Sequence, residues 1–466
     1  MNATSETMVE NVTFDELHLG RSGRLVRQLT LADVRAFAAL SGDVNPTHID
    51  EAFAKGSIFH GLIAHGMWGG ALISSLLGTF FPGPGTVYLE QTLQFRRPVR
   101  VGDTLSVVVT VIARDEAKKH VTLSCEVRNQ TGELTLGGQA RVLAPTEKVI
   151  RPRTPLPELH MFDPMSRLDS WVGGLAFAEH ERPKCAVIHP CDEQSLSGAI
   201  EAARRGLFTP IVVAPRSKLE AIADAAGISL SGIEIEDVPH SHAAAYRGAE
   251  MAADGHVSML MKGSLHTDEV MHEVLNRPAL HTGRRVSHVF RFDIPTYPKP
   301  LLITDAAINI APTLDDKADI IRNAIDVAHA LGVALPKVAI LAAVETVTPK
   351  MASTVHASAL CKMADRGQIV GAVLDGPLAF DNAISAEAAH VKGIKSPVAG
   401  DVDVLVVPDL EAGNMLAKQL EYLAGAASCG VVVGARIPIA LTSRADTAAS
   451  RMASAALAAL LVASTK

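Results

Sequence analysis

Cysteine is scarce: the chain has five in 466 residues. None forms a C-x-x-C pair, so neither a disulfide framework nor a thiolate-rich metal centre is expected. The nearest pair, Cys185 and Cys191, lies in an apolar strand context and is expected to be reduced and structural. Aromatic residues make up only 4 %, which removes the stacking platforms that hold bases. A net charge of −7 gives nucleic acid no footing either. Charged residues are few at 20 % against 48 % hydrophobic, which excludes a disordered chain. There is no Walker spacing, and no G-x-G-x-x-G stands at a strand–helix turn, so neither an ATPase nor a Rossmann dehydrogenase is supported. No apolar run reaches the roughly 20 residues of a membrane span. The C-terminal run, Ala453 to Ala463, reads as a buried terminal helix. Met1 to Asn11 carries Glu6 and Glu10 and no base, the reverse of a signal peptide. The expectation is a cytoplasmic protein with no membrane and no nucleic-acid partner.

What is present divides in two. At roughly 100–200 residues per domain the length predicts two to four domains. The grammar changes near residue 150, where Pro145 to Pro157 reads PTEKVIRPRTPLP. Its four prolines block helix interiors and central strands, and no apolar period runs through it, so an exposed linker over 145–160 is expected. Before it, Thr30 caps a short helix running to about Leu40, and an apolar helix follows within Leu62 to Phe80. Alternating segments then predict strands at Val87 to Phe95, Leu105 to Ile112, Val121 to Val127 and Leu134 to Val142. One buried helix with a run of antiparallel strands predicts an α+β hot-dog domain over 13–144. After the linker, short apolar strands (186–189, 211–214, 257–261, 338–342, 369–374 and 402–407) alternate with amphipathic helices. That pattern predicts a mostly parallel, doubly covered α/β sheet over 161–466. Its length predicts two lobes with a cleft, one over 161–287 plus 431–466 and the other over 288–430.

In the first half the informative stretch is Ser41-Gly-Asp43-Val-Asn45-Pro46-Thr-His48-Ile-Asp50. A carboxylate and an imidazole five residues apart on a loop can hold one water and move its proton. The same residues serve equally as a turn in which Asp43 caps locally and His48 is incidental. With His65-Gly66-Met67, Ser74, and Phe95-Arg96-Arg97-Pro98-Val-Arg-Val-Gly102-Asp103 in order, residues 13–142 resemble the MaoC-like (R)-specific enoyl-CoA hydratases. The resemblance implies that Asp43 and His48 activate the water added to a trans-2-enoyl-CoA. It also implies that Ser74 orients His48, that the Gly66 N–H polarises the thioester carbonyl, and that Asn45 contacts substrate. Arg96 and Arg97 are read as ordinary exposed arginines. A lone hot-dog unit leaves a sheet edge open, so a homo-oligomer is expected, a dimer through this domain or a higher even number.

In the second half, two segments put polar and basic residues where a strand ends and a helix begins. They are Leu260-Met-Lys262-Gly263-Ser264-Leu-His266-Thr267 and Leu441-Thr442-Ser443-Arg444-Ala-Asp446. Helix N-termini offer free N–H groups to phosphate; ordinary capping by Ser and Thr accounts for each segment equally well. Further motifs are Thr282-Gly-Arg284, Ser287-His288-Val289, Asp375-Gly-Pro377-Leu-Ala-Phe-Asp381, Ser396-Pro-Val-Ala-Gly400 and Pro408 to Asn414. Together they resemble the phosphate acetyltransferase and phosphate butyryltransferase family. The resemblance implies an isopropylmalate-dehydrogenase-like two-lobed unit and the reaction of acyl-CoA with phosphate to give acyl phosphate and coenzyme A. Ser443 then hydrogen-bonds the tetrahedral oxyanion, and Arg444 holds phosphate. Lys262, Thr267, Arg284, Asp375 and Asn414 line the substrate site. Two positions depart from the family pattern: Ser450 stands where acetyl-type members carry the proposed thiol base, and Met271 stands where an arginine is expected.

The combined expectation is a bifunctional acyl-CoA enzyme. It takes coenzyme A thioesters and phosphate as substrates, with no tightly bound cofactor and no metal. Two alternatives stay open: a non-catalytic, acyl-CoA-binding or dimerising hot-dog half, and a metal-dependent hydroxy-acid dehydrogenase on the two-lobed fold.

Overall fold

The computed structural model describes residues 8–152, 164–442 and 446–464. The chain forms two compact units, 1–161 and 162–466.

The first unit is a five-stranded antiparallel sheet around one helix. Its strands are β2 (Ser22–Gln28), β3 (Val87–Phe95), β4 (Thr104–Asp115), β5 (His120–Arg128) and β6 (Leu134–Leu143), in the order β2-β4-β5-β6-β3. Alternation decides the buried face: Leu105, Val107, Val109 and Val111 of β4 and Val121, Leu123, Cys125 and Val127 of β5 point inward. They meet Trp68, Leu72 and Ile73 of a helix, labelled α4 (Gly66–Ser75) here because α1 (Leu31–Ser41), α2 (Pro46–Ile49) and α3 (Glu51–Gly56) precede it. Thr30 caps α1 as its side chain predicts, accepting from the Asp33 N–H at 3.1 Å.

Glycines let α4 lie close to the sheet. A Cβ on Gly66 would stand 2.9 Å from Phe95, and one on Gly69 3.1 Å from Leu136. An apolar helix of this kind is expected to be buried all round, yet Met67 is 55 % exposed and Ser74 is exposed. A single sheet covers only one side of a helix.

The first part of the expected 145–160 linker is part of the fold, and residues 153–160 lie outside the described residues. Residues 145–152 fold back onto the first unit: Ile150–Pro152 (β7) pairs antiparallel with Met8–Glu10 (β1), and Lys148 bridges Glu10 at 2.9 Å and Glu16 at 3.1 Å. These exposed pairs hold the Glu16 carboxyl down at about 2, chiefly through the Thr13 N–H and Lys148.

The second unit is built on one eleven-stranded mixed sheet. In chain order its strands are β8 (Lys184–Ile188), β9 (Thr209–Ala214), β10 (Glu234–Asp237), β11 (Met259–Lys262), β12 (Ser287–Asp293), β13 (Leu301–Thr304), β14 (Lys337–Leu341), β15 (Val373–Leu378), β16 (Val404–Val406), β17 (Ala427–Val433) and β18 (Ile439–Ala440). The order across the sheet is β10-β9-β8-β11-β18-β17-β12-β13-β16-β14-β15. The flanks are parallel, as continuous apolar strands between helices predict. The centre is antiparallel: β12 runs against both β17 and β13.

That central pair is invisible to hydropathy, because β12 buries His288, Arg291 and Asp293 among its apolar residues. The Arg291–Asp293 ion pair, 2.5 Å long with both side chains under 5 % exposed, satisfies the two charges inside the fold. One core cluster covers a whole face of the sheet, whereas the other face carries two separate clusters, one on each flank. The terminal helix Ala448–Ser464 is buried, as its composition predicts. No helix among the described residues is long and apolar enough to cross a membrane.

Candidate functional sites

In the first unit the loop after α1 folds against the start of α4. Asn45 caps α2, accepting from the Thr47 N–H at 3.1 Å, and the turn delivers His48 into a buried position, 8 % exposed. The His48 Nδ1 meets the Ile63 carbonyl at 2.9 Å. A carbonyl only accepts, so Nδ1 carries the proton and the Nε2 lone pair is left to act as a base. Asp43 is exposed; its carboxylate accepts from the Asn45 N–H at 3.2 Å.

The structure adds a residue that motif reading did not assign a role. His65 is 3 % exposed, its Nε2 meets the Asp43 carbonyl at 2.9 Å, and its ring stacks on His48 with centroids 3.9 Å apart. Its signal in the sequence was present, since it opens the His65-Gly66-Met67 motif. The donor atoms of Asp43, His48 and His65 all lie within 4.8 Å of one another. Such a set is able to approach a cation, but imidazoles stacked at 33° do not aim their lone pairs at one point as a tetrahedral ion requires.

The start of α4 completes the site. His65 stands at its N-cap position with no side-chain cap, so the first N–H groups of the helix are not capped by that side chain. Gly66 and His48 both line an apolar cavity of about 310 Å³ whose wall includes Phe59, Trp68, Phe95 and Leu136. Ser74 lies eight residues beyond Gly66, about 12 Å along the helix, and is exposed; the His48 Nδ1 is held by the Ile63 carbonyl. Arg97 pairs with Glu133 at 3.4 Å and Arg96 bonds Gln94, and both also line the cavity with His48, which an ordinary surface arginine need not do.

In the second unit the expected residues are dispersed. Lys262, at the end of β11, is only 2 % exposed; its Nζ donates to the Thr442 carbonyl at 3.1 Å. Thr267 opens the helix Thr267–Leu275, at whose start Glu269 accepts from the His266 N–H at 3.1 Å. Met271 is buried in the core, where an arginine would be an unpaired charge.

Arg284 lines a cavity of about 480 Å³ with Arg285, Asp316 and Asp319 and pairs with Asp326 at 2.5 Å. Asn414 donates to the Ala306 carbonyl at 3.3 Å. Asp375 lies on β15, seven strands from β11, on the order of 30 Å away across the sheet. It therefore does not join Lys262 within one chain. Ser443 and Arg444 lie outside the described residues. Ser450 sits in the first turn of the terminal helix, and its N–H donates to the Thr447 hydroxyl at 3.2 Å, a capping contact.

The motifs give no role to two histidines near this segment, although His288 stands in the Ser287-His288-Val289 motif. His189 follows β8 with φ +49°, a left-handed conformation unusual for a residue with a side chain. Its Nδ1 meets the Ser264 carbonyl at 3.0 Å. Burial, with the nearby Lys218 charge, holds its pKa below the usual histidine range. His288 is fully buried, neither ring nitrogen has a hydrogen bond of good geometry, and burial pushes it down to about 3.

A histidine whose folded value is depressed stabilises nothing in acid: below its unfolded value near 6.5 only the unfolded chain takes up the proton. Stability of this unit is therefore lost as pH falls from about 6.5 towards 3, by about 1.4 kcal/mol per pH unit for one group. We expect His288→Leu to flatten that slope. Urea midpoints read through Trp171 in a Trp68→Phe background check it, and an unchanged slope would refute the assignment.

Comparison with known proteins matches both units. A model described as phosphate acetyl/butaryl transferase covers residues 239–459, and a MaoC like domain model covers residues 19–131. A phosphate acetyltransferase of Rhizobium meliloti is 58 % identical over 291 residues, 62 % of this chain and 92 % of that protein. A phosphate butyryltransferase of Clostridium acetobutylicum is 42 % identical over 282 residues, 60 % of this chain and 94 % of that protein. The crystal structure of a branched-chain phosphotransacylase from Enterococcus faecalis V583 superposes with a TM-score of 0.53 at 30 % identity, covering 60 % of this chain and 99 % of that one.

Proposed function

Because the chain belongs to the phosphate acetyl/butyryltransferase family and carries a MaoC-like domain ahead of that unit, we propose that it is bifunctional. Its first unit hydrates trans-2-enoyl-CoA to (R)-3-hydroxyacyl-CoA, and its second exchanges acyl groups between coenzyme A and phosphate. The observation that carries the hydratase half is His48: buried, its Nδ1 proton held by Ile63, at the mouth of an apolar cavity that begins at the helix start of Gly66.

In the hydration, His48 Nε2 and Asp43 hold one water. As the water oxygen bonds to C3, its proton passes to this pair, and negative charge moves through C2 onto the thioester oxygen. The N–H at Gly66, at the positive end of α4, stabilises that charge. The pair then returns a proton to C2. In the transfer, a phosphate oxygen attacks the thioester carbon, Ser443 donates to the oxyanion, and Arg444 holds the phosphate. Collapse expels the coenzyme A thiolate, which takes up a proton.

A binding-only hot-dog half is favoured by one observation, the exposure of Ser74. Dimerisation through β3 is supported by its position at the sheet edge and by exposed Val87, Leu89 and Phe95.

Two assays on the full chain test the proposal. Butyryl-CoA or acetyl-CoA with inorganic phosphate should release thiol in a phosphate-dependent way, and crotonyl-CoA should lose its conjugated-thioester absorbance. No thiol release with any acyl chain overturns the transfer, and stable crotonyl-CoA absorbance overturns the hydration.

A further inference from the structure

β8, β11 and β18 stand side by side and parallel in the sheet, so their carboxyl ends share one edge. Ligands of open α/β sheets bind outside such ends. The chain segments leaving β8 and β11 are tied together there. The Gly263 N–H donates to the Ile188 carbonyl at 2.9 Å, and the Ser264 N–H donates to the His189 carbonyl at 2.8 Å. Gly263 permits this approach, since a Cβ on it would stand 2.6 Å from both carbonyl oxygens. His189 therefore sits against the Lys262 to Thr267 segment, where the substrate of the transfer is expected.

The ring is held as a base must be. Its Nδ1 meets the Ser264 carbonyl at 3.0 Å, and a carbonyl only accepts. The proton stays on Nδ1 and Nε2 keeps its lone pair. No other residue among those described partners Nε2, and it is not sealed from solvent as both ring nitrogens of His288 are. The backbone is committed as well: at φ +49° a glycine would sit without strain, and the chain carries an imidazole instead.

The charged groups around the ring are Lys218 of the helix Arg216–Ala226 and Glu269 of the helix Thr267–Leu275. Burial and Lys218 outweigh Glu269, so the ring is neutral at pH 7. Asp192, three residues on, turns its carboxylate to the Ser195 N–H at 2.8 Å. The Cys191 thiol is pushed up by burial and stays protonated. Position 450, where acetyl-type members carry the proposed thiol base, holds a serine whose N–H serves a capping contact. An aliphatic hydroxyl takes up no proton at neutral pH, so the reaction needs its base from elsewhere.

We propose that His189 is the base that takes the proton of the coenzyme A thiol, in place of the acid that position 450 lacks. The inference rests on the transferase reading above. In the direction of thioester formation, His189 Nε2 removes the thiol proton as the sulfur bonds to the carbonyl carbon of the acyl phosphate. The bond from that carbon to the phosphate oxygen breaks, and the proton passes from Nε2 to the leaving phosphate. The opposite direction retraces these steps.

The test uses the full chain with acetyl or butyryl phosphate and coenzyme A, read as loss of free thiol. Asparagine takes the left-handed conformation more readily than most residues, and its amide is able to donate to the Ser264 carbonyl. His189→Asn therefore keeps the backbone and loses the base. At pH 7 its kcat/KM for coenzyme A is expected to fall about 100-fold. The wild-type value is nearly flat from pH 7 to about 8.5, because the ring is neutral throughout. The variant depends on coenzyme A that is already a thiolate. Its rate climbs about tenfold per pH unit up to about 8.5, the usual value of a free thiol, and the gap closes. A purely structural role would lower the rate by one factor at every pH. Far-ultraviolet circular dichroism shows whether the variant is folded; if it is not, His189→Gly, which suits φ +49° still better, carries the same pH test. An active wild type with a folded variant of unchanged rate, or one slowed equally across this pH range, overturns the role of His189 alone. A wild type that consumes no thiol overturns the transferase reading and this inference with it.

Discussion

Replacing His48 with Gln lowers crotonyl-CoA hydration by about 1,000-fold, the middle of the range that a positioned general base contributes. Phosphate-dependent thiol release from the same protein stays at the wild-type rate. The reason lies in how His48 is held. Its Nδ1 proton is held by the Ile63 carbonyl, so the ring has one tautomer and one free lone pair. Glutamine fills similar space and hydrogen-bonds the same carbonyl through its amide. The variant therefore keeps the fold and loses the base. Stopped-flow loss of enoyl-thioester absorbance measures the rate. Wild-type hydration unaffected by His48→Gln would refute the role of His48, and no hydration by the wild type would leave the first unit a binding module.

The second large effect has the opposite selectivity. Ser443→Ala lowers phosphate-dependent thiol release by about 100- to 1,000-fold, the cost of removing one oxyanion donor, and leaves hydration unchanged. The donor acts where charge develops, so kcat falls with little change in KM for acyl-CoA or phosphate. Thiol titration over a matrix of both substrate concentrations separates the two constants. A variant that loses only phosphate affinity would move Ser443 from the oxyanion to the ground-state phosphate. Measured on one chain, the two substitutions form a cross: each silences one reaction and spares the other.

Much of the architecture is legible without coordinates. Alternation places Leu105, Val107, Val109 and Val111 on one face of β4, and the structure buries that face. The Thr30 cap marks the start of α1. The flank strands of the second unit are short apolar runs and stand near where hydropathy puts them, although β15 begins at Val373 rather than near 369. Its partner across the sheet, not its own composition, sets that boundary. What hydropathy missed is polar or short: β12 with its buried Arg291 and Asp293, and β18 of two residues. Long-range pairing makes these strands, and a local pattern does not record it.

The site divides along the same line. Asp43 and His48 stand out by type and spacing, whereas Gly66 and Ser74 come only from the family resemblance; the fold brings His48 and Gly66 to the wall of one cavity and places Ser74 about two turns beyond Gly66. His65 contributes through stacking on His48, which no spacing predicts.

The sequence by itself determined the chain's two-part make-up and the lack of a disulfide framework, and its motifs, through the family resemblance, pointed to the side chains for acid–base and phosphate chemistry. Composition and period are local properties and carry the first two conclusions without the fold. Only the tertiary structure decided how those side chains are held: Lys262, expected to line the substrate site, is buried with its Nζ on the Thr442 carbonyl. Burial and hydrogen-bond partners come from residues up to 180 positions apart, and that distance is why the chain alone could not assign them.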